Sequence, residues 1–334
     1  GYSIAALAIR FFSGYIVDRF SRKKVLLIGF ASFALFFLGY YFTFSLVLFA
    51  VIRTLHGAPF GLTSVSSSTV AIDVLPSKRR GEGIGYWGLS NNFAMAVGPS
   101  LSLWIFTHYD NYNILFTVSL VTALIGLLIN TTVDCKYRPP VLDKKKMSLD
   151  RFIMLEGWSQ GLCIALVAVA YGVLSTYIAI YSQDVLNITA GTGTFFMLFA
   201  VGLIMSRFFG VRYLSKGFVV RNATYGVICV AIGYSLFAFW QNLYGYYISA
   251  VVIGFGQGSM YPAVQTMFLN MASNDKRGTA NATILTSWDL GIGLGIIGGG
   301  YVAEHLGGYN SAFLLSVIVS VISVVFFISY ARKE

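Results

Sequence analysis

One offset recurs through the chain. Arg10-Phe11-Phe12 returns as Arg207-Phe208-Phe209, Gly57 and Gly61 as Gly254 and Gly258, and Arg80-Gly81 as Arg277-Gly278. Gly98 returns as Gly295, and Tyr112-Asn113 with Phe116 as Tyr309-Asn310 with Phe313. Each pair is 197 positions apart (207−10, 254−57, 277−80, 295−98, 309−112). Islands that share one register and keep their order point to a duplicated half. Solenoid units repeat every ~20 to 50 residues, so a half of this length is a bundle, and the chain must take up one fold twice.

The halves are built from apolar stretches. Hydrophobic residues make up 57% of the chain and charged ones 11%, with a mean hydropathy of +0.73, which leaves too little polar surface for a soluble globule of 334 residues. Stretches of the ~20 residues that cross a hydrocarbon core of ~30 Å lie near 1–17, 25–43, 46–73, 81–107, 112–133, 155–182, 191–210, 221–240, 243–271, 279–305 and 309–331. This predicts an all-α membrane protein with eleven spans. The stretch at 155–182 has its repeat counterpart ahead of residue 1, and the counterpart of 191–210 begins before it. The expectation is therefore a missing first span, with the eleven numbered 2 to 12 of a six-plus-six protein. The expected bundles are 1–133 and 155–334, joined by a linker over 134–154. Two such halves make the frame of a secondary transporter.

Basic residues set the orientation, because Lys and Arg near span ends stay on the cytoplasmic side. Of 23, twenty fall in alternate loops: Arg19 to Lys24, Lys78 to Arg80, Lys136 to Arg151, Arg212 to Arg221, Lys276 and Arg277, and Arg332 and Lys333. The opposite loops, around Thr43, His108, Asp184, Gln241 and His305, carry none. Topology thus accounts for the net charge of +10, and no recognition module argues for nucleic acid. Pro139-Pro140 and Lys144-Lys145-Lys146 mark the linker as cytoplasmic, and Ser148 to Phe152 reads either as an interfacial lead into the next span, with Ser148 as a cap, or as part of a flexible tether.

At this point the residues resemble a known family. Gly14-Tyr15-Ile16-Val17-Asp18-Arg19-Phe20-Ser21-Arg22-Lys23-Lys24 is similar to the loop between spans 2 and 3 of the major facilitator superfamily, usually Gly-x-x-x-Asp-Arg-x-Gly-Arg-Arg/Lys. Arg53-Thr54-Leu55-His56-Gly57 resembles its span 4 motif Arg-x-x-Gln-Gly, and Gly98-Pro99 the centre of a span 5 motif associated with antiporters. Ser21, His56 and Ser102 stand where that pattern has glycine, glutamine and glycine, and Ser215-Lys216 take the places of Asp18-Arg19 in the second half. The resemblance implies the major facilitator fold, two pseudo-symmetric six-helix bundles. It also implies that Gly14, Asp18, Arg19 and Arg22 lock the cytoplasmic side when the protein opens outward.

The same residues have a physical reading. Asp18 lies among cations at a helix end, where it can pair with them and accept from the N-terminus of a neighbouring helix. Lys23 and Lys24 need no role beyond topology. Arg10, Arg53 and Arg207 lie inside spans, where a charge costs at least about 3 kcal/mol and needs a partner or water. Arg10 and Arg207 are repeat equivalents, which suits an architectural bond or a gate; Arg53, opposite Ala250, suits substrate or proton work or a link to the missing span. Asp289, with Asn92 as its repeat partner, is an acid inside an apolar run that either carries a proton or bonds between helices. His56 can titrate in a cavity or pack with a hydrogen bond. Tyr171, Gln257, Tyr261 and Trp288 share spans with small or polar residues near mid-depth and are expected to line a solute pocket. Gly98-Pro99 permits a bend, and glycines four apart let helices approach and slide.

Gly293-Leu294-Gly295-Ile296-Ile297-Gly298 matches the dinucleotide fingerprint in letters, but it lies mid-span with no strand before it. Cys135, Cys163, Cys229, His56, His108 and His305 lack metal-ligand spacing. No cofactor and no enzyme activity are expected. The reading is a monomeric secondary transporter in a bacterial inner membrane, with the 134–150 linker and C-terminus cytoplasmic. It takes a small-molecule substrate and protons, as an exporter of a drug-like or metabolite solute. A facilitator or importer of a sugar or organic acid is the alternative, and a non-transporting sensor or scaffold the reading from another class.

Overall fold

The computed structural model describes residues 1–76, 80–135, 152–188, 191–215, 217–273 and 275–331, except the side chains at 80–82, 85, 89, 92, 95, 96, 99, 100, 103, 107, 209, 211–215 and 331. Eleven α-helices occur among them: α1 (Tyr2–Arg19), α2 (Arg22–Tyr41), α3 (Leu46–Val74), α4 (Arg80–Tyr109), α5 (Tyr112–Thr132), α6 (Trp158–Asp184), α7 (Gly191–Ser215), α8 (Val219–Phe239), α9 (Leu243–Met271), α10 (Arg277–His305) and α11 (Gly308–Phe326). A 3-10 turn at Leu155–Gly157 leads into α6, and a π turn at Phe327–Ala331 follows α11. Each apolar stretch is a helix, with α7 running past the expected residue 210. Ser148, Ser215 and Lys216 fall outside the described residues or side chains.

Eight of these segments are long and apolar enough to cross a membrane. The case for hydrocarbon surroundings is plainest in α5, where the most apolar window has a hydropathy of 2.2 and only 6% of it is buried. Leu124, Ile125, Leu128 and Ile129 are all exposed. Surface of that kind is stable against lipid rather than water. Polar stretches also survive as helix. From Thr63 to Thr69 the hydroxyls return to carbonyls of their own helix, Thr63 to Pro59 at 2.6 Å, Ser68 to Ser64 and Thr69 to Val65 at 2.7 Å. No hydroxyl among these is left for the bilayer to solvate. Between α10 and α11 the chain turns through Gly307 at φ 108°, a conformation open to glycine. Gly307→Ala should lower stability by about 1–2 kcal/mol, read as a reduced melting temperature in detergent.

The chain packs as two compact units, residues 1–76, 97–156 with 272–286, and residues 77–96, 157–271 with 287–334. In the first, α3 packs on α1 and α2, and α2 on α5. In the second, α9 packs on α7 and α8, and α11 on α6 and α8. The repeat has a direct physical counterpart. A methyl group at Gly57 would lie 2.1 Å from the Tyr2 carbonyl oxygen, and one at Gly254 would lie 2.1 Å from that of Phe199. Tyr2 and Phe199 are themselves 197 apart (199−2). One turn on, Gly61 meets the Ala6 carbonyl and Gly258 that of Leu203. The same glycines therefore seat the same helix pair in both units, α3 on α1 and α9 on α7.

Candidate functional site

The first unit holds a chain of ions built around Asp18. It occupies the last turn of α1, and Arg22 opens α2 after the short Phe20-Ser21 turn, so the two meet as an i,i+4 pair at 2.9 Å. Asp18 also receives three hydrogen bonds from the start of α10: Gly278 N–H at 2.8 Å, Thr279 N–H at 2.8 Å and Thr279 Oγ1 at 3.0 Å. Those amides belong to the first turn of α10, which has no intrahelical acceptor for them, and the positive end of the helix favours a carboxylate. Gly14 makes the approach possible, since a methyl there would lie 2.7 Å from the Thr279 Cα. Arg22 reaches on to Asp73 at the end of α3, and Arg277 donates to the other Asp73 oxygen at 3.1 Å. Signs thus alternate from Asp18 through Arg22 and Asp73 to Arg277, which adjoins the amides that Asp18 holds. Asn281, one turn into α10, donates to the Val65 carbonyl and to Ser68 Oγ. Val17, Val25, Val65 and Ala282 form the apolar floor.

Arg19 stands apart from this cluster; it is exposed and lies over the ring of Tyr15, 5.5 Å from its centroid. Lys23 donates to the Thr131 and Val133 carbonyls at 2.8 and 2.7 Å and so closes the end of α5. Phe152 packs on Phe12 and Tyr15, and the Met154 amide donates to Thr283 Oγ1 at 2.9 Å. Sequence reasoning did not bring Asp73, Thr279 or Asn281 into this cluster. The available signal was an acid placed at the end of a helix among basic loops.

The remaining candidates of the first unit surround Tyr2. The Arg53 guanidinium lies 4.4 Å from its ring centroid, and Arg53 is otherwise exposed. His56 is 1% exposed and lies against Tyr2, Phe33, Phe36, Phe37 and Tyr40, with Nδ1 3.0 Å from the Tyr40 hydroxyl. Arg10 is buried, donates from Nε to Ser64 Oγ at 3.2 Å and sits over Phe60 at 5.4 Å. A methyl at Gly98 would meet nothing within 4 Å among the described residues, whereas one at its equivalent Gly295 would lie 2.1 Å from the Val169 carbonyl. The side chains of Asn92 and Pro99 lie outside those described.

The second unit brings three expected pocket residues together. Trp288 of α10 lies between Tyr171 of α6, at 5.5 Å, and Tyr261 of α9, at 5.4 Å. Phe199 of α7, which the sequence did not single out, extends the group at 5.9 Å from Tyr171. Gln257 precedes Tyr261 by one turn and is 5% exposed, with no partner for Nε2 among the described residues. Arg207, 8% exposed, has none for Nε, and its guanidinium abuts Gly88 of α4, where a methyl would lie 2.9 Å from Nη2. Asp289, beside Trp288, is half-buried. A separate groove of about 690 Å³ runs along α8 and α11, with Ile228, Ile232, Phe239 and Val325 among its walls, and suits hydrocarbon rather than a polar solute.

Comparison with known proteins agrees with this architecture. The family model described as Major Facilitator Superfamily matches residues 1–240 and 221–334. The chain is 24% identical over 346 aligned positions to the staphylopine export protein of Staphylococcus aureus, covering 98% of this chain and 85% of that protein. It is 25% identical over 357 positions to the proton-coupled antiporter flippase LtaA of the same species, covering 99% and 84%. The crystal structure of the human organic anion transporter MFSD10 (TETRAN) superimposes with a TM-score of 0.83 at 15% identity, over 97% of this chain and 81% of that one, a likeness of fold. The family match extends through both halves of a chain that docks its helices twice by the same glycines, and this protein belongs to the Major Facilitator Superfamily, as a multi-pass membrane transporter.

Proposed function

We propose that the protein is a secondary active transporter that expels a drug-like or metabolite solute in exchange for protons, by alternating access. The observation that carries this reading is the seat of α10 on Asp18, an anchorage made of ions and amides that water can solvate when it opens. Apolar burial of the same extent would hold the helix in one place; ionic contacts at a wet helix end give two states of similar free energy. In this reading Gly14, Asp18 and Arg22, with Asp73 and Arg277, form the cytoplasmic lock, and Arg19 stays at its rim. The rocking bodies are the bundles 1–133 and 155–334, joined by 134–154 on the cytoplasmic side of a bacterial inner membrane. One chain suffices. The names of two relatives, an export protein and a proton-coupled antiporter, support direction and coupling.

Asp289 is the proposed proton carrier, and Tyr171, Tyr261 and Trp288 the wall against which the solute rests. Arg53, beside Tyr2, is placed on the same pathway, and Gly98-Pro99 gives α4 room to bend. The test uses purified protein in liposomes, with membrane potential clamped and a panel of neutral, cationic and anionic fluorescent solutes. One pH unit is worth 1.36 kcal/mol per proton, so one-for-one exchange should concentrate a transported solute about tenfold per unit. Asp289→Asn should still exchange solute for solute but ignore the gradient. Flux of every solute indifferent to pH would remove proton coupling.

A further inference from the structure

We infer that Arg207 and Gln257 form an acceptor-binding subsite for the carboxylate of an organic anion, whose apolar body lies on Tyr171, Phe199, Tyr261 and Trp288. The inference rests on the transport reading and names the substrate class for it.

The repeat places the two donors side by side. Arg10 and Arg207 are equivalents, as are Phe60 and Gln257 (257−60) and Ser64 and Tyr261 (261−64). In the first unit Arg10 lies over Phe60 at 5.4 Å and donates from Nε to Ser64. In the second unit the residue equivalent to Phe60 is an amide, and the residue equivalent to the Ser64 acceptor is a tyrosine. Among the described residues Arg207 Nε has no acceptor, and Gln257 Nε2 has none either.

Helix geometry agrees. Gly202, Gly254 and Gly258 fix α7 and α9 as parallel neighbours, because Gly254 meets Phe199 and Gly258 meets Leu203 and Ser206. Arg207 is one residue on from Ser206, about 100° round α7, and Gln257 is one residue before Gly258, about 100° the other way round α9. In parallel helices those opposite rotations lead to the same side of the pair. Tyr261, one turn beyond Gln257, shares that side and carries the contact to Trp288. Gly88 gives the guanidinium its space.

A buried donor left without an acceptor is destabilising, and more so when it is charged. None of the ion pairs among the described residues involves Arg207. Two such donors beside an aromatic wall match a ligand with an anionic oxygen at one end and a flat apolar body at the other. A hydroxyl or carbonyl would satisfy Gln257 alone; a carboxylate satisfies both and neutralises the cation.

The experiment is equilibrium binding to the full chain in detergent, with 2-naphthoate, methyl 2-naphthoate and 2-naphthylmethylammonium as probes. Naphthoate should bind at least about tenfold more tightly than either of the others. Arg207→Gln should remove most of that preference, whereas Gln257→Leu should weaken naphthoate and the ester alike, because both offer an oxygen to the amide. If Arg207→Gln does not give a cooperative melt, Arg207→Lys takes its place and should retain part of the preference, the charge without the fork. Equal binding of the three probes, or a preference untouched by substitution of Arg207, overturns the inference. Gradient-driven flux of a cationic or neutral solute with no naphthoate preference would sink the subsite and leave transport standing. A naphthoate preference that substitution of Arg207 abolishes, without gradient-driven flux of any solute, would leave the subsite and sink coupled transport.

Discussion

Asp18→Ala should release the start of α10 and leave a chain that still folds but scarcely transports. The carboxylate is 9% exposed and meets one guanidinium, two amides and one hydroxyl. Removing one partner from a buried, hydrogen-bonded ion pair costs about 3–5 kcal/mol, because the remaining groups stay desolvated and unmatched. If that loss falls on one of two conformations, their ratio moves by roughly a hundredfold or more. Spin labels at Phe20→Cys and Asp275→Cys, both at exposed positions, report the separation of the α1–α2 turn from the loop before α10. The substitution should shift that distance distribution to longer values, with solute flux near background. Asp18→Asn, which keeps one acceptor oxygen, should fall between. Arg277→Ala should do less, since Arg22 still holds Asp73. Unchanged distances with normal flux in Asp18→Ala would rule out the lock.

The second large effect concerns the paired glycines. Gly57→Ala and Gly254→Ala would each press a methyl group to 2.1 Å from a carbonyl oxygen of the facing helix, and backbone cannot step aside as a side chain can. Overpacking of this kind costs about 1–3 kcal/mol, and more where backbone must move. Both variants should lose melting temperature to a similar degree and run heterogeneously on gel filtration. Gly258→Ala should be milder, because its nearest neighbour is the rotatable Ser206 hydroxyl. Gly98→Ala and Gly293→Ala meet nothing within 4 Å among the described residues and should stabilise slightly, by about 0.5–1 kcal/mol of helix propensity. A flat series, with Gly57→Ala and Gly254→Ala melting as the parent does, would refute the close docking of α3 on α1 and of α9 on α7.

How far the site could be read in advance depended on what kind of contact each residue makes. Asp18 sits in a motif whose spacing shows an acid at a helix end, and its capacity to accept from a neighbouring helix follows from that. Which helix it meets does not, because Gly278 is 260 residues away and only packing brings it near. Tyr171, Tyr261 and Trp288 were legible as large rings in spans with small or polar residues. Phe199 was not, since one phenylalanine among 28 carries no mark in a chain this apolar. Lys23 was assigned to topology alone, yet it closes α5 through the carbonyls of Thr131 and Val133. His56 could be weighed as a titrating group or as packing; its five aromatic neighbours come from α1 and α2, and no pattern within α3 announces them.

By itself, the sequence determined where the helices lie, that they belong in hydrocarbon, and that one bundle occurs twice. Those properties are local or periodic. A bilayer admits only segments that satisfy their own backbone, and a duplication keeps its register in the letters. The tertiary structure alone decided which ions meet, which glycines receive a facing carbonyl, and that among the described residues Arg207 Nε lacks the hydroxyl partner its twin Arg10 has. In lipid every helix face can be apolar, so hydrophobic periodicity no longer tells inside from outside, and the partners of each polar group are settled by packing between distant segments.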